Sequence, residues 1–151
     1  DPFRLEKAKE IGANHVVNVS EGDAAAKLLE LTGGDGADLV IEAVGTFRET
    51  PNPAPIALAL ETVRQAGRIL VLGQGDQKAG IHWRTLVWKE AKIITSRTSR
   101  GVFPRVLRMM AEGRLRPQSA VTHRISLEEM PSIFRLMDEG SPGLIKALVK
   151  M

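Results

Sequence analysis

Two stretches constrain this chain more than any others: ADLVIEAVG (37–45) and RILVLGQG (68–75). Each is a short run of Leu, Val and Ile that ends on glycine, and neither alternates apolar with polar positions. A strand without alternation has both faces buried, as in a parallel sheet that carries helices on both sides. The neighbouring segments agree. DAAAKLLELTGG reads as a helix capped by Asp23 and stopped at Gly33. APIALALETVRQAG places Ile56, Ala59, Leu60 and Val63 on one helical stripe before Gly67. The amphipathic HWRTLVWKE precedes AKIITS (91–96), a third strand of the same kind. Helix and strand in regular succession predict an α/β chain.

The opening DPFRLEKAKEIGANHVV predicts a helix from Pro2 to Ile11. Asp1 is its N-cap, Pro2 stands at the first position where the missing N–H costs nothing, and Gly12 is the stop. Ala13–Val19 then reads as a strand, so the order implies a βαβ unit whose first strand lies upstream. From Arg97 the sequence becomes basic and rich in loops. FPRVLRMMAEG is a predicted helix ended by Gly113, AVTHRIS a strand, and SLEEMPSIFRLMDEG a helix with a capping box from Ser126 to Glu129 and Pro131 just inside; LIKALVK is the last strand. The change of style near Thr95–Arg97 divides the chain into residues 1–95 and 96–151.

At 151 residues the chain fits one domain, or one and part of another. It has no apolar run of membrane-spanning length and no charged-then-apolar leader, so the expectation is a cytoplasmic protein without membrane contact. With no cysteine there is neither a disulfide nor a thiolate metal site. Net charge is only +3, but Arg97, Arg100, Arg105, Arg108, Arg114 and Arg116 fall in a stretch where Glu112 is the sole acid. A solvated helix face accounts for this block. The competing reading is a non-catalytic module that binds an acidic partner through residues 97–116. Phe103 is the only aromatic there, which argues against single-stranded nucleic acid.

Open α/β sheets bind ligands where loops leave the carboxyl ends of their strands. GGDGAD precedes a strand and GQGDQK has Lys78 where a third glycine would stand, so neither is a phosphate loop. Gly45 and Gly73 lie where a cofactor's backbone neighbours would be, although ordinary turns account for both equally well. Asp38 and Glu42 flank one strand on the same face, about 13 Å apart at strand rise, too far for an acid/base pair across one bond, and read as structural. His15, His82 and His123 lack metal-ligand spacing, and no nucleophile elbow surrounds Ser96 or Ser99.

The ordered pieces RLEKAKEIGANHVVN, GADLVIEAVG, GRILVLGQG, KIITSRTSR and VTHRISLEE resemble the second half of the medium-chain, zinc-type alcohol dehydrogenases. SRTSRGVFPRVLRMMAEGRL followed by VTHRISLEE is most similar to members acting on polyols, sugar acids or threonine. The resemblance implies a partial Rossmann domain, a doubly wound parallel sheet lacking its first strands (1–95), followed by a C-terminal segment that returns to the catalytic domain (96–151). It implies hydride transfer between a secondary alcohol or polyol and NAD or NADP, with zinc in the complete enzyme held by ligands outside this chain and no catalytic residue within it. For the cofactor it implies Arg4 beside the adenosine ribose, Val44 and Gly45 along one strand end, Leu72 and Gly73 facing the nicotinamide amide, and Lys146 reaching the pyrophosphate. An edge-strand lysine is the plainer reading of Lys146. The resemblance further implies a homo-oligomer paired through the 91–96 edge strand. A zinc-independent quinone or enoyl reductase of the same superfamily is the alternative enzyme.

Overall fold

The computed structural model describes residues 1–45, 55–75, 80–97 and 99–150. These form two compact units, one of Glu21–Thr98 and one of Asp1–Ser20 together with Ser99–Met151.

The Glu21–Thr98 unit holds α2 (Ala24–Leu31), β1 (Ala37–Glu42), α3 (Pro55–Thr62), β2 (Val63–Val71), α4 (Trp83–Lys89) and β3 (Lys92–Thr95); α1 belongs to the other unit and is Pro2–Glu10. The strands form one parallel sheet in the order β1-β2-β3. Val40, Ile69 and Ile93 stand in register across it, and this row packs with Ala59 and Leu60 of α3 and Leu86 of α4. The next row, Ile41, Leu70 and Ile94, points to the opposite side. There Leu39, Ile41 and Ile94 are 42%, 54% and 44% exposed. The unbroken apolar strands predict cover on both faces. Among the described residues the cover lies on one, because α3 and α4 pack on that side and α2 packs chiefly on α3.

α2 has the predicted cap, with the Asp23 carboxylate accepting from the Ala26 N–H at 3.0 Å. α3 ends at Thr62 instead of running to Gly67. Its last carbonyls already have partners. Thr62 Oγ1 donates to the Leu58 carbonyl at 2.8 Å, and Lys89 Nζ donates to the carbonyls of Glu61 and Val63, each at 2.7 Å. A cation at a helix C-terminus is favourable for the same reason that the orphan carbonyls need donors. Val63 is fully buried as the first residue of β2, and Ala66 at φ +54 takes up the irregularity where the β1–β2 register shifts.

The other unit contains α1, α5 (Phe103–Ala111), a 3-10 turn (Pro117–Ala120), β4 (His123–Ile125), α6 (Met130–Asp138) and β5 (Ala147–Val149). β4 and β5 pair in parallel, and α6 between them closes a small core of Ile125, Ile133 and Leu144. Asp1 caps α1 as its sequence predicts, accepting from the N–H groups of Phe3 and Arg4. Ala13–Val19 is not a strand: a strand is defined by its partner, and neither β4 nor β5 pairs with it. α6 starts at Met130, later than the capping box predicts. Half of the box forms, Ser126 N–H donating to Glu129 Oε2 at 2.8 Å, and Pro131 falls in the first turn, where its absent donor is not needed.

Ile69 is fully buried at the centre of the three-stranded sheet. Ile69→Ala is expected to lower stability by about 2–5 kcal/mol, whereas Val87→Ala on the exposed side of α4 stays within about 0.5 kcal/mol. Urea denaturation of the two variants checks this.

Candidate functional site

The carboxyl ends of β1 and β2 lie side by side because Glu42 and Val71 are register partners. Glu42 sits on the helix-covered side of the sheet and is 7% exposed. Its carboxylate Oε1 accepts from the N–H groups of Val44 and Gly45, both at 2.8 Å, and its main-chain carbonyl accepts from Leu72 at 2.8 Å and Gly73 at 3.0 Å. One residue thus holds both strand ends. Among the described residues no cation pairs with it.

The glycines follow from that closeness. Gly45 has φ +76, and a Cβ there would come 2.8 Å from the Gln74 nitrogen. At Gly73 a Cβ would overlap the Gly45 main-chain nitrogen and press on the Glu42 carboxylate, so a side chain is excluded by contact alone. Val44 and Leu72 remain exposed on the rim, at 69% and 43%. A ligand laid on this rim meets two apolar side chains, while the N–H groups of Val44, Gly45, Leu72 and Gly73 are already engaged. The neighbouring GQGDQK lies partly outside the described residues, as does the stretch following Gly45.

Arg4 and Lys146 meet in the other unit. Both line a cleft of about 560 Å³ whose floor includes Ile133 and Leu144. Arg4 is carried on α1; its Nη2 donates to the Leu144 carbonyl at 2.9 Å, and its Nε lies 3.4 Å from Asp1 Oδ2. Lys146 is held through its backbone by Thr122. The Thr122 hydroxyl oxygen accepts from the Ile145 and Lys146 N–H groups at 3.0 and 3.3 Å, and the Lys146 carbonyl accepts from the N–H groups of Thr122 and His123 at 2.9 and 3.2 Å. The Lys146 side chain is exposed, as is that of Arg4. The cleft is therefore apolar at its base and carries two cations, a combination suited to an anionic ligand with an organic body. Thr122 gave no signal in the sequence beyond its place before His123.

The remaining candidates have local work. Asp38 pairs with Arg64 at 2.6 Å, and that hydrogen bond, with the charge behind it, holds its carboxyl below the usual aspartate value. His82 caps α4, His123 bonds Thr122 at 3.0 Å, and His15 is exposed. The six arginines of residues 97–116 are exposed, and Arg114 lies 3.5 Å from Glu112. No group of three His, Cys, Asp or Glu residues able to hold a metal exists among the described residues.

A helix–strand chain with a parallel sheet and a glycine-tight turn after each of two strands has close relatives. The zinc-binding dehydrogenase family matches residues 1–112, and the chain belongs to it. The L-threonine 3-dehydrogenase of Pyrococcus abyssi is 28% identical over 98% of this chain and 42% of its own length. The (R,R)-butanediol dehydrogenase of Bacillus subtilis is 32% identical over 96% of this chain and 38% of its own. Among solved structures, an alcohol dehydrogenase from Thermus sp. ATN1 superposes with a TM-score of 0.88 at 29% identity, over 100% of this chain and 42% of that one. The chain thus spans about two fifths of the length of the relatives it matches. The likeness to zinc-type alcohol dehydrogenases read from the ordered motifs is confirmed.

Gly45→Ala adds a methyl both at an unfavourable φ and against the Gln74 backbone. It is expected to destabilise the Glu21–Thr98 unit by more than about 2 kcal/mol, while Gly33→Ala, with open space around it, loses only the smaller backbone term of about 1–2 kcal/mol. Thermal unfolding of the two variants measures the difference.

Proposed function

We propose that this chain supplies the later part of the dinucleotide-binding region, and the segment that follows it, of an NAD(P)-dependent, zinc-type dehydrogenase acting on a small alcohol or polyol. The observation that carries the proposal is the pair of strand ends joined at Glu42 in a member of the zinc-binding dehydrogenase family. The carboxyl edge of a parallel sheet is where such folds receive a nucleotide. The names of the relatives, threonine and butanediol dehydrogenases, support a hydroxyl-bearing substrate.

In this reading Val44 and Leu72 give the nicotinamide end of the cofactor an apolar wall, and Gly45 and Gly73 let the backbone come close to it. Arg4 binds near the adenosine ribose and Lys146 neutralises the pyrophosphate. When bound, the nicotinamide supplies the hydride chemistry. This chain's own residues orient the ring and exclude water along one side. The phosphate-binding turn, the ribose acid and the zinc ligands are assigned to the share of the relatives' length that this chain does not span. Residues 1–95 are then the dinucleotide-binding part and 96–151 the segment returning to the catalytic domain. No described helix is long and apolar enough to cross a membrane.

Lys146 provides the experiment. In the intact polypeptide that carries this chain, NADH titration is expected to give saturable binding. Lys146→Met should weaken that binding about tenfold or more, the effect of losing a charge-assisted contact of roughly 1.5–3 kcal/mol, with the melting temperature of the cofactor-free protein unchanged. Equal affinities in the two proteins would return Lys146 to the role of an edge lysine.

β3 ends the strand order, and its outer edge has no partner strand among the described residues. Pairing of that edge with its copy about a two-fold axis forms a homodimer in this reading. Ser96 N–H faces inward to the Val71 carbonyl, so the neighbouring Thr95 N–H faces the outer edge; Thr95→Pro removes that donor and is expected to convert dimer to monomer or aggregate in sedimentation velocity, and an unchanged dimer would rule out this interface.

A further inference from the structure

We infer that Glu42 is a positioning residue: a backbone tether that sets the turn after β1 and, through it, the cofactor wall. The inference rests on the dehydrogenase reading above and adds to it a residue that touches no ligand.

Three observations carry it. First, the Glu42 carboxylate is buried and spends Oε1 on the Val44 and Gly45 N–H groups, both of them site positions. Second, the main-chain carbonyl of the same residue accepts from Leu72 and Gly73, the site positions of the other strand. Third, a side chain at residue 73 would begin against the Gly45 main-chain nitrogen and the Glu42 carboxylate that holds it, so the close approach of the two turns at Glu42 leaves room there for glycine. A buried carboxylate engaged by two backbone donors is a fixed acceptor, and breaking it leaves those donors without a partner. Its role is therefore geometric: to hold Val44 outward and Gly45 inward at a set distance from Leu72 and Gly73.

The two sets of bonds separate on substitution, because only one uses the side chain. Glu42→Ala releases Val44 and Gly45 but leaves the carbonyl that holds Leu72 and Gly73. Glu42→Gln keeps an oxygen where Oε1 stands and is the conservative rescue. Amide hydrogen exchange in the intact polypeptide should show Val44 and Gly45 exchanging at least about tenfold faster in Glu42→Ala, with Leu72 and Gly73 within about twofold of wild type and Glu42→Gln close to wild type throughout. The NADH dissociation constant should follow the same order, rising about tenfold in Glu42→Ala and little in Glu42→Gln. Unchanged exchange at Val44 and Gly45 would overturn the tether. So would a uniform rise at all four amides that matches a loss of global stability, since that is what a merely structural residue gives. If the wild type bound no NADH, the dehydrogenase reading would be refuted and the positioning role toward cofactor with it, while the amide exchange would still decide whether the tether exists.

Discussion

The hydrogen bonds of Glu42 are the constraint on which the rest of the site depends. A carboxylate at the end of a parallel strand is an expensive group to bury, and here two backbone N–H groups at 2.8 Å offset the loss of water. Because the Glu42 carbonyl also closes the turn after β2, the two strand ends are tied to one residue. The glycines at 45 and 73 are consequences of that closeness. So is the exposure of Val44 and Leu72, which are what the turns leave on the rim. The row of Val40, Ile69 and Ile93 beneath gives the rim a rigid base.

The second unit solves a different problem. It gathers two cations over an apolar floor, and among the described residues the side-chain bonds of these two are the Arg4 contacts to Leu144 and Asp1. Thr122 sets the backbone of Lys146 and leaves its side chain in solvent. Cations placed this way suit a phosphate that arrives from solution: they retain their hydration until a ligand replaces it, so little is lost in holding them ready.

Much of the fold was legible because β1 and the second half of β2 are apolar runs and α1 and α2 carry local caps at Asp1 and Asp23. What misled was dependence on distant partners. Val63 fits the apolar stripe of a helix and the start of a strand equally well; it joins the strand, and its carbonyl, with that of Glu61, is held by Lys89 from far along the chain. Ala13–Val19 has strand composition but no strand beside it. In the site, Gly45 and Gly73 could be picked out as glycines after strands, and Glu42 could be read as structural from its spacing. That one residue serves both turns depends on the register of Glu42 with Val71, which no local pattern states. The meeting of Arg4 with Lys146 was likewise absent from the spacing of residues at opposite ends of the chain.

The central claim is that the rim formed by Val44 and Leu72 receives the nicotinamide end of a cofactor. The direct measurement is methyl-labelled NMR of the intact polypeptide during titration with NADH, with intermolecular nuclear Overhauser effects recorded at saturation. The account predicts contacts from the nicotinamide protons to the methyl groups of Val44 and Leu72, and none to Val63, which is fully buried at the opposite, amino end of β2. Saturable NADH binding with nicotinamide contacts to other methyl groups and none to these two would contradict it.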